Sequence, residues 1–594
     1  MHKRLYLVLA VLVTPIILLS CAEHGAGNKV DPKVLAATVD KASTLADTLD
    51  KLNARAYGMG QVGAAMAVVN PAGAGQVLDD ALLVAKDVHS PVNKAALQDL
   101  QAATKSWGGS DLEQVKPALV RIENATTRVW AIRSIAESMA LINKSKAMSV
   151  MSEAAAEADA IADKRYKDLD LRGVASAMAA LDAGAAADVA GRISDLRDKA
   201  WALTVIGAEA AKTNRDSADK ILTAAAEAAA GIKDMSPSST LINDATKEET
   251  KALVLKAEKA RLVASSAKAT SKVAVAMNAV NPEKAQALFG EAVKVAGSIE
   301  LPYTRAYAVS DVAMDVAEVN PAAASELAWK IEADHEDAQF AALLKAAKMK
   351  SKTAGVEADL VKAEGVAAAI KDSYDKAKAL AAVAKEMIVV SREKAADIAG
   401  EIDYPELKNE ILADIAVALS KESDDKAKEA LGKIAETRFA NKGVLYVKAN
   451  ALADMAEGKA GTDADAAKKL YGKAAGAAAE TKSAPLQWKI ASGLCKLDHD
   501  KLFEMAAKIE SDNYNNAMGL ADIAADWSSK GDSGAGMVWD MAAKAAGAMD
   551  DDYASSETLN KVASRCAQYD KARATAMLAK SLEKVKNIGK PKEG

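Results

Sequence analysis

The sequence predicts an all-α fold: an α-solenoid, or superhelix, of helical-hairpin repeats of about 32 or 39 residues. Three observations predict it. Nearly every window beyond residue 30 has helical periodicity, without long strand-like alternation or β-branched runs. Aliphatic residues followed by Ala or Gly recur at quantised spacings along the chain. Hydrophobic residues make up 50% of the chain but aromatics only 4%, so alanine, the best helix former, must carry much of the interior.

The elements follow in chain order. His2, Lys3 and Arg4 give a short positive start, and Tyr6 to Leu19 is an apolar run interrupted by Thr14 and Pro15. Such a run is too short to cross about 30 Å of hydrocarbon at about 1.5 Å per residue. It reads as a leader over residues 1–20 rather than a membrane span. The stretch LLSC, Leu18 to Cys21, resembles the bacterial lipobox, in which the leader is cut before a Cys that carries the lipid. The resemblance implies that Cys21 becomes the acylated first residue and that residues 21–30 are a lipid-anchored linker. Ala22, in place of the Asp used for inner-membrane retention, implies the outer membrane of a Gram-negative cell, periplasmic or surface side open. Acyl chains worth about 0.8 kcal/mol per buried CH₂ would hold the protein there.

Residues 31–235 read as an N-terminal helical-repeat lobe. Its segments beginning at Ile122 and Ile193 align with those at Ile299, Ile370 and Ile402, each with an aliphatic anchor 13 positions on. Ile135, Val174 and Ile206 are spaced by 39 and 32 residues. Residues 236–272 break the period: MSPSSTLIND reads as a loop and the following segment as one long helix, an irregular unit or joint. Residues 273–585 form a C-terminal lobe, in which Val273, Val312, Leu344, Val383 and Ile415 are spaced by 39, 32, 39 and 32. Met455, Ile490, Ile523 and Val562 continue at 40, 35, 33 and 39. The two common lengths differ by seven residues, about two helical turns, so a longer helix keeps its packed face. Asn281-Pro282 and Asn320-Pro321 mark helix starts. Residues 586–594 read as a disordered tail.

Two helices per unit at this period are the mark of an α-solenoid. The repeat resembles tetratricopeptide-like and HEAT-like helical repeats over residues 110 to 580, without the W-x₂-L-G-x₂-Y pattern. That resemblance implies a curved right-handed stack, one helix of each pair lining a concave face, and a role as a binding scaffold.

The net charge of -5 becomes -7 once Lys3 and Arg4 leave with the leader, which argues against nucleic-acid binding. Cys495 and Cys566, 71 residues apart, are poorly placed for a bridge. GMGQVG, Gly58 to Gly63, has the letters of a dinucleotide fingerprint but follows a helical pattern instead of a strand, so close helix approach or a turn is the better reading. HEDA at His335 lacks the second His of a zinc motif, and no nucleophile–base signature is present. No cofactor and no metal are expected, and no enzyme.

One polar column stands out. Six residues after each opening Ile come Arg128, Lys199, Arg305, Lys376 and Lys408, a stripe able to receive an acidic partner or to pair with Asp195, Asp372 and other local acids. Trp130, Trp201 and Tyr307 sit two residues beyond it, as exposed anchors or, more in keeping with an Ala-rich core, as wedges between helices. The expected function is a lipid-anchored cell-envelope scaffold binding protein or peptide partners. A carbohydrate or peptidoglycan binder, a structural spacer and an envelope enzyme with a carboxylate site are the alternatives.

Overall fold

A computed structural model describes residues 30–105, 107, 109–237, 248–350, 355–434, 441–498, 509 and 512–588. Cys21, the leader, the linker up to residue 29 and the tail from 589 lie outside the described residues. Those described are helices joined by short turns, with no strand among them.

Each unit is a first helix and an antiparallel second helix. Seven residues after the Ala or Gly that follows each anchor stands the residue that starts the second helix. Asn143, Asp182, Asn214, Asn281, Asn320, Asp463 and Asp570 each accept a backbone N–H from three residues further on, at 2.9 to 3.2 Å. Replacing such a cap by Ala costs about 1 kcal/mol. First helices start similarly, at Asp163, Asp195, Asp372 and Asp551, or with Pro302 and Pro405 in the first turn.

The anchors hold equivalent buried positions: Ile135, Val174, Ile206, Val312 and Val383 are fully buried and Ile415 nearly so. Five of them, with Ile523 and Val562, stand ten residues after the start of their first helix. Leu344 is a correction. In the Glu336–Lys350 helix it is only half-buried, and the tenth position belongs to Ala346, fully buried with Ala347. The turn before this helix sets the register, and an alanine fills the anchor place there.

Consecutive first helices pack side by side; second helices pack on their own first helix and on the next, and touch one another little. The first helices therefore form the inner row of the curve and the second helices the outer row. Twelve inner helices run from Trp130–Ala140 to Asp552–Cys566 among the described residues. The thirteenth is the long Pro32–Val69 helix, and it closes the stack into a ring. It packs on Asp552–Cys566 and Lys571–Asn587 on one side and on Trp130–Ala140 on the other, while its partner Pro71–Val88 takes the outer place. One core accordingly runs from Trp488 through Val585 into Ala56, Ile135 and on to Ala285. A second core covers Ala260 to Ala451.

The GMGQVG stretch is what makes this closure possible. A Cβ on Gly58 would stand 3.1 Å from the Val585 methyls, on Gly60 3.2 Å from the Ile135 side chain, and on Gly63 2.5 Å from Leu78. Three glycines face the last unit, the first repeat and the helix's own partner. Gly63 follows Val62 as Gly207 follows Ile206, and a Cβ on Gly207 would likewise meet Leu222 at 2.5 Å. Val62 is thus the anchor of the closing unit.

A small separate core lies outside the ring. Ala42, Ala46 and Leu49 pack with Leu97, Leu100, Val115, Ala118 and Ile122, joining the start of Pro32–Val69 to Pro91–Thr104 and Gly109–Thr127. No described helix is long and apolar enough to cross a membrane.

Candidate functional site: the inner face of the ring

At about 100° per residue, positions nine, five and one before an anchor and two after it point away from the second helix, toward the ring's interior. At interaxial distances of about 8–10 Å, a circle of thirteen helices leaves an open centre. Aromatic residues gather on that face. Five before the anchor stand Tyr57, Trp130, Trp201 and Tyr307; nine before it stand Tyr303, Tyr374, Tyr446, Tyr514 and Tyr553. Trp201 is 52% exposed, Tyr303 63%, Tyr374 48% and Tyr446 44%, values that make them surface side chains, not wedges. Trp130 and Tyr307 are half-buried.

Neighbouring rings touch. Tyr57 and Trp130 meet across the closure with centroids 5.2 Å apart, and Tyr303 and Tyr307 lie 4.6 Å apart. The Arg172 guanidinium sits 5.1 Å over Trp201. Tyr307 donates to the Asp337 carboxylate, and burial together with that charge pushes its hydroxyl pKa up. The Tyr column at position minus nine escaped sequence reading: the anchors give its register, but only the closed packing shows that this position faces the interior.

Between the aromatics, ion pairs join adjacent inner helices: Lys268–Asp311 at 3.0 Å, Lys272–Asp315 at 2.6 Å, Lys348–Glu386 at 3.1 Å and Arg565–Asp522. Asp315 is buried and also accepts from Ser271 Oγ at 2.5 Å. Burial opposes the charge on Lys272, but Asp315 outweighs it and raises the ammonium pKa. The more exposed of these pairs, such as Lys268–Asp311, contribute about 0–1 kcal/mol each. The face therefore presents aromatic platforms separated by paired charges.

The basic column points elsewhere. Lys199 Nζ donates to the Gly191 carbonyl at 2.8 Å, Lys408 Nζ to Gly400 at 2.9 Å, and Arg305 to Ile299 at 3.0 Å and to Glu332. Lys167 does the same with Asp159, at 3.3 Å. These are cations at the ends of preceding second helices, where the helix dipole favours them by about 0.3–1 kcal/mol. Arg128 precedes its helix and is held by the buried Asp170, Nε to Oδ1 at 2.8 Å. Lys376 shares the register position and is half-buried.

A cavity of about 770 Å³ lies on the inner face at the closure, between Pro32–Val69, Asn513–Ser529 and Asp552–Cys566. Tyr57, Gln61, Tyr514, Tyr553, Asn560 and Lys561 line it. The Lys561 ammonium lies 5.3 Å over the Tyr514 ring. Elsewhere, ligand atoms of Glu332, Asp334 and His335 lie within 4.8 Å of one another, but Arg305 already engages Glu332. The HEDA stretch thus finds carboxylate neighbours upstream of its histidine. Cys495 and Cys566 are free and buried, and burial pushes both thiols up to about 12, so neither is a poised nucleophile.

These features define a closed helical-repeat ring with an aromatic inner face. No protein-family model and no curated protein matches the chain. Among solved structures it is similar to a circular tandem repeat protein with novel repeat topology and enhanced subunit contact surfaces. The identity is 12% and the TM-score 0.23, over 91% of this chain and 98% of that one. At that score the likeness carries no weight, and the ring rests on the packing described above.

Proposed function

We propose that the protein is a non-enzymatic, lipid-anchored scaffold of the bacterial cell envelope that holds an extended protein or peptide partner against the inner face of its ring. The gathering of Trp201, Tyr303, Tyr374 and Tyr446 as exposed side chains on one face supports it. Large, rigid aromatics supply contact area at low entropic cost and dominate binding hot spots, at about 2 kcal/mol or more each. The anchor rests on LLSC and Cys21, and an outer-membrane location rests on Ala22.

Replacing Trp201, Tyr303, Tyr374 and Tyr446 together by Ala should reduce partner recovery from envelope extracts at least tenfold and leave the melting temperature nearly unchanged. Trp329→Ala with Tyr569→Ala, exposed aromatics away from these inner-face positions, should not. Equal recovery from all three proteins would overturn the reading. Exposed tyrosine platforms also suit a glycan. Competition by soluble peptidoglycan fragments, with no protein partner cross-linked at Tyr374, would favour that alternative.

A further inference from the structure

We infer that the three-helix bundle before the ring is a stalk, and that it seats its tip on a lipid bilayer so that the rim where the inner helices begin faces the membrane. This rests on the anchor reading of Cys21. The other inner helices commonly begin ten residues before their anchor, which for Val62 is position 52. The Pro32–Val69 helix begins 20 residues earlier, about 30 Å at 1.5 Å per residue. Pro91–Thr104 leaves the ring where Lys94 pairs with Glu157 at 2.7 Å, at the end of the second helix Lys144–Asp159. It ends with Leu100 and Ala103 beside Val34 and Ala37. The returning helix starts next to Val30, whose N–H donates to Asp111 at 3.2 Å.

Val30 is therefore at the far end of the stalk, and the chain before it attaches there. Cys21 precedes Asp31 by ten residues, which span at most about 36 Å. An acylated Cys21 thus tethers the chain to the bilayer at the tip of the stalk. The tip suits that neighbour. A shallow apolar groove of about 410 Å³ runs between the two helices, with Val34 53% exposed and Lys33, Lys41 and Asp99 among its polar residues. Lysines there can lay their stems on the apolar surface and keep their charges among headgroups. Leu141, 65% exposed at the end of Trp130–Ala140, marks the opposite rim.

The test uses the full chain from the membrane fraction, in phosphatidylethanolamine–phosphatidylglycerol vesicles carrying a spin-labelled lipid. Val34→Cys and Leu141→Cys each add one exposed thiol for a fluorophore, since Cys495 and Cys566 are buried. Quenching should be several-fold stronger at position 34 than at 141. An acylated chain quenched equally at both, or more at 141, overturns the stalk orientation alone. A chain that takes no acyl label at Cys21 and does not float with the vesicles overturns the anchor reading and the stalk's membrane role with it.

Discussion

Two joints of the ring are built differently. Between Glu248–Asn278 and Pro302–Ala317, Lys268–Asp311, Lys272–Asp315 and Ser271–Asp315 stitch neighbours that are close in sequence. At the closure, Gly58 lies against Val585, 527 residues away in the chain, and Gly60 against Ile135. Polar pairs fix the register of helices that meet early; bare glycine backbone lets distant helices come close enough to share a core. The entropy of closing the longer loop is modest. Going from one repeat to the whole chain costs about 2 kcal/mol more, since the dependence is logarithmic. Burial of Val585 and Ile135, about 1.5–3 kcal/mol each, offsets it.

The sharpest way to break this contrast is to empty the closure. Ile135→Ala should cost about 2–5 kcal/mol, and hydrogen exchange should rise first in 32–69 and 571–587. Ile206→Ala, equally buried, should cost as much but loosen its own neighbours instead. Next comes a lock. A Cβ on Gly58 would lie 3.7 Å from Val585 Cβ, within the roughly 3.5–4.5 Å of natural disulfides. Gly58→Cys with Val585→Cys should raise the melting temperature under oxidation by an amount equivalent to about 2–4 kcal/mol, and dithiothreitol should abolish the gain.

A smaller effect separates two glycines of the closing hairpin. Gly63→Ala overpacks against the buried Leu78 and should cost about 1–3 kcal/mol. Gly75→Ala meets nothing within 4 Å and should gain about 0.5–1 kcal/mol from helix propensity. Denaturant midpoints measure both.

The smallest effect concerns the base of the stalk. His89 is buried, its Nδ1 3.0 Å from the Thr126 carbonyl and its Nε2 without a partner. Burial lowers its pKa below 6.5, against Glu157 and Asp170 and with help from Lys94. The unfolded chain therefore binds the proton more readily, so stability is complete above pH 6.5 and falls as the pH drops toward the folded pKa. His89→Gln should flatten the slope of stability between pH 7 and 5.

Much of the fold was legible because it repeats locally. The Ile, Val and Met anchors, the caps seven residues on from their Ala or Gly, and the Pro starts need only the helix period. Leu344 misled because a large aliphatic attracts the eye, whereas the packed position was held by Ala346. The ring itself left no periodic trace: GMGQVG signalled close helix approach, but nothing in either neighbourhood named Val585 as what approaches Gly58. The two candidate columns, two residues apart in the sequence, face different ways. Counting from the opening Ile singled out Lys199 and Lys408, but Trp201 is turned about 200° from Lys199, which puts one toward the outer helix end and the other toward the interior.

A row of repeats with free ends melts from them, because each terminal unit has one neighbour. Here every described inner helix from Trp130–Ala140 to Asp552–Cys566 has a neighbour on both sides, and Pro32–Val69 removes the ends. A nearest-neighbour sum over such a circle has as many interfaces as units. Losing one interface opens the circle but frees no unit, so a unit is released only when two break together. Unfolding of this chain should therefore be steeper than that of an open array of the same repeats.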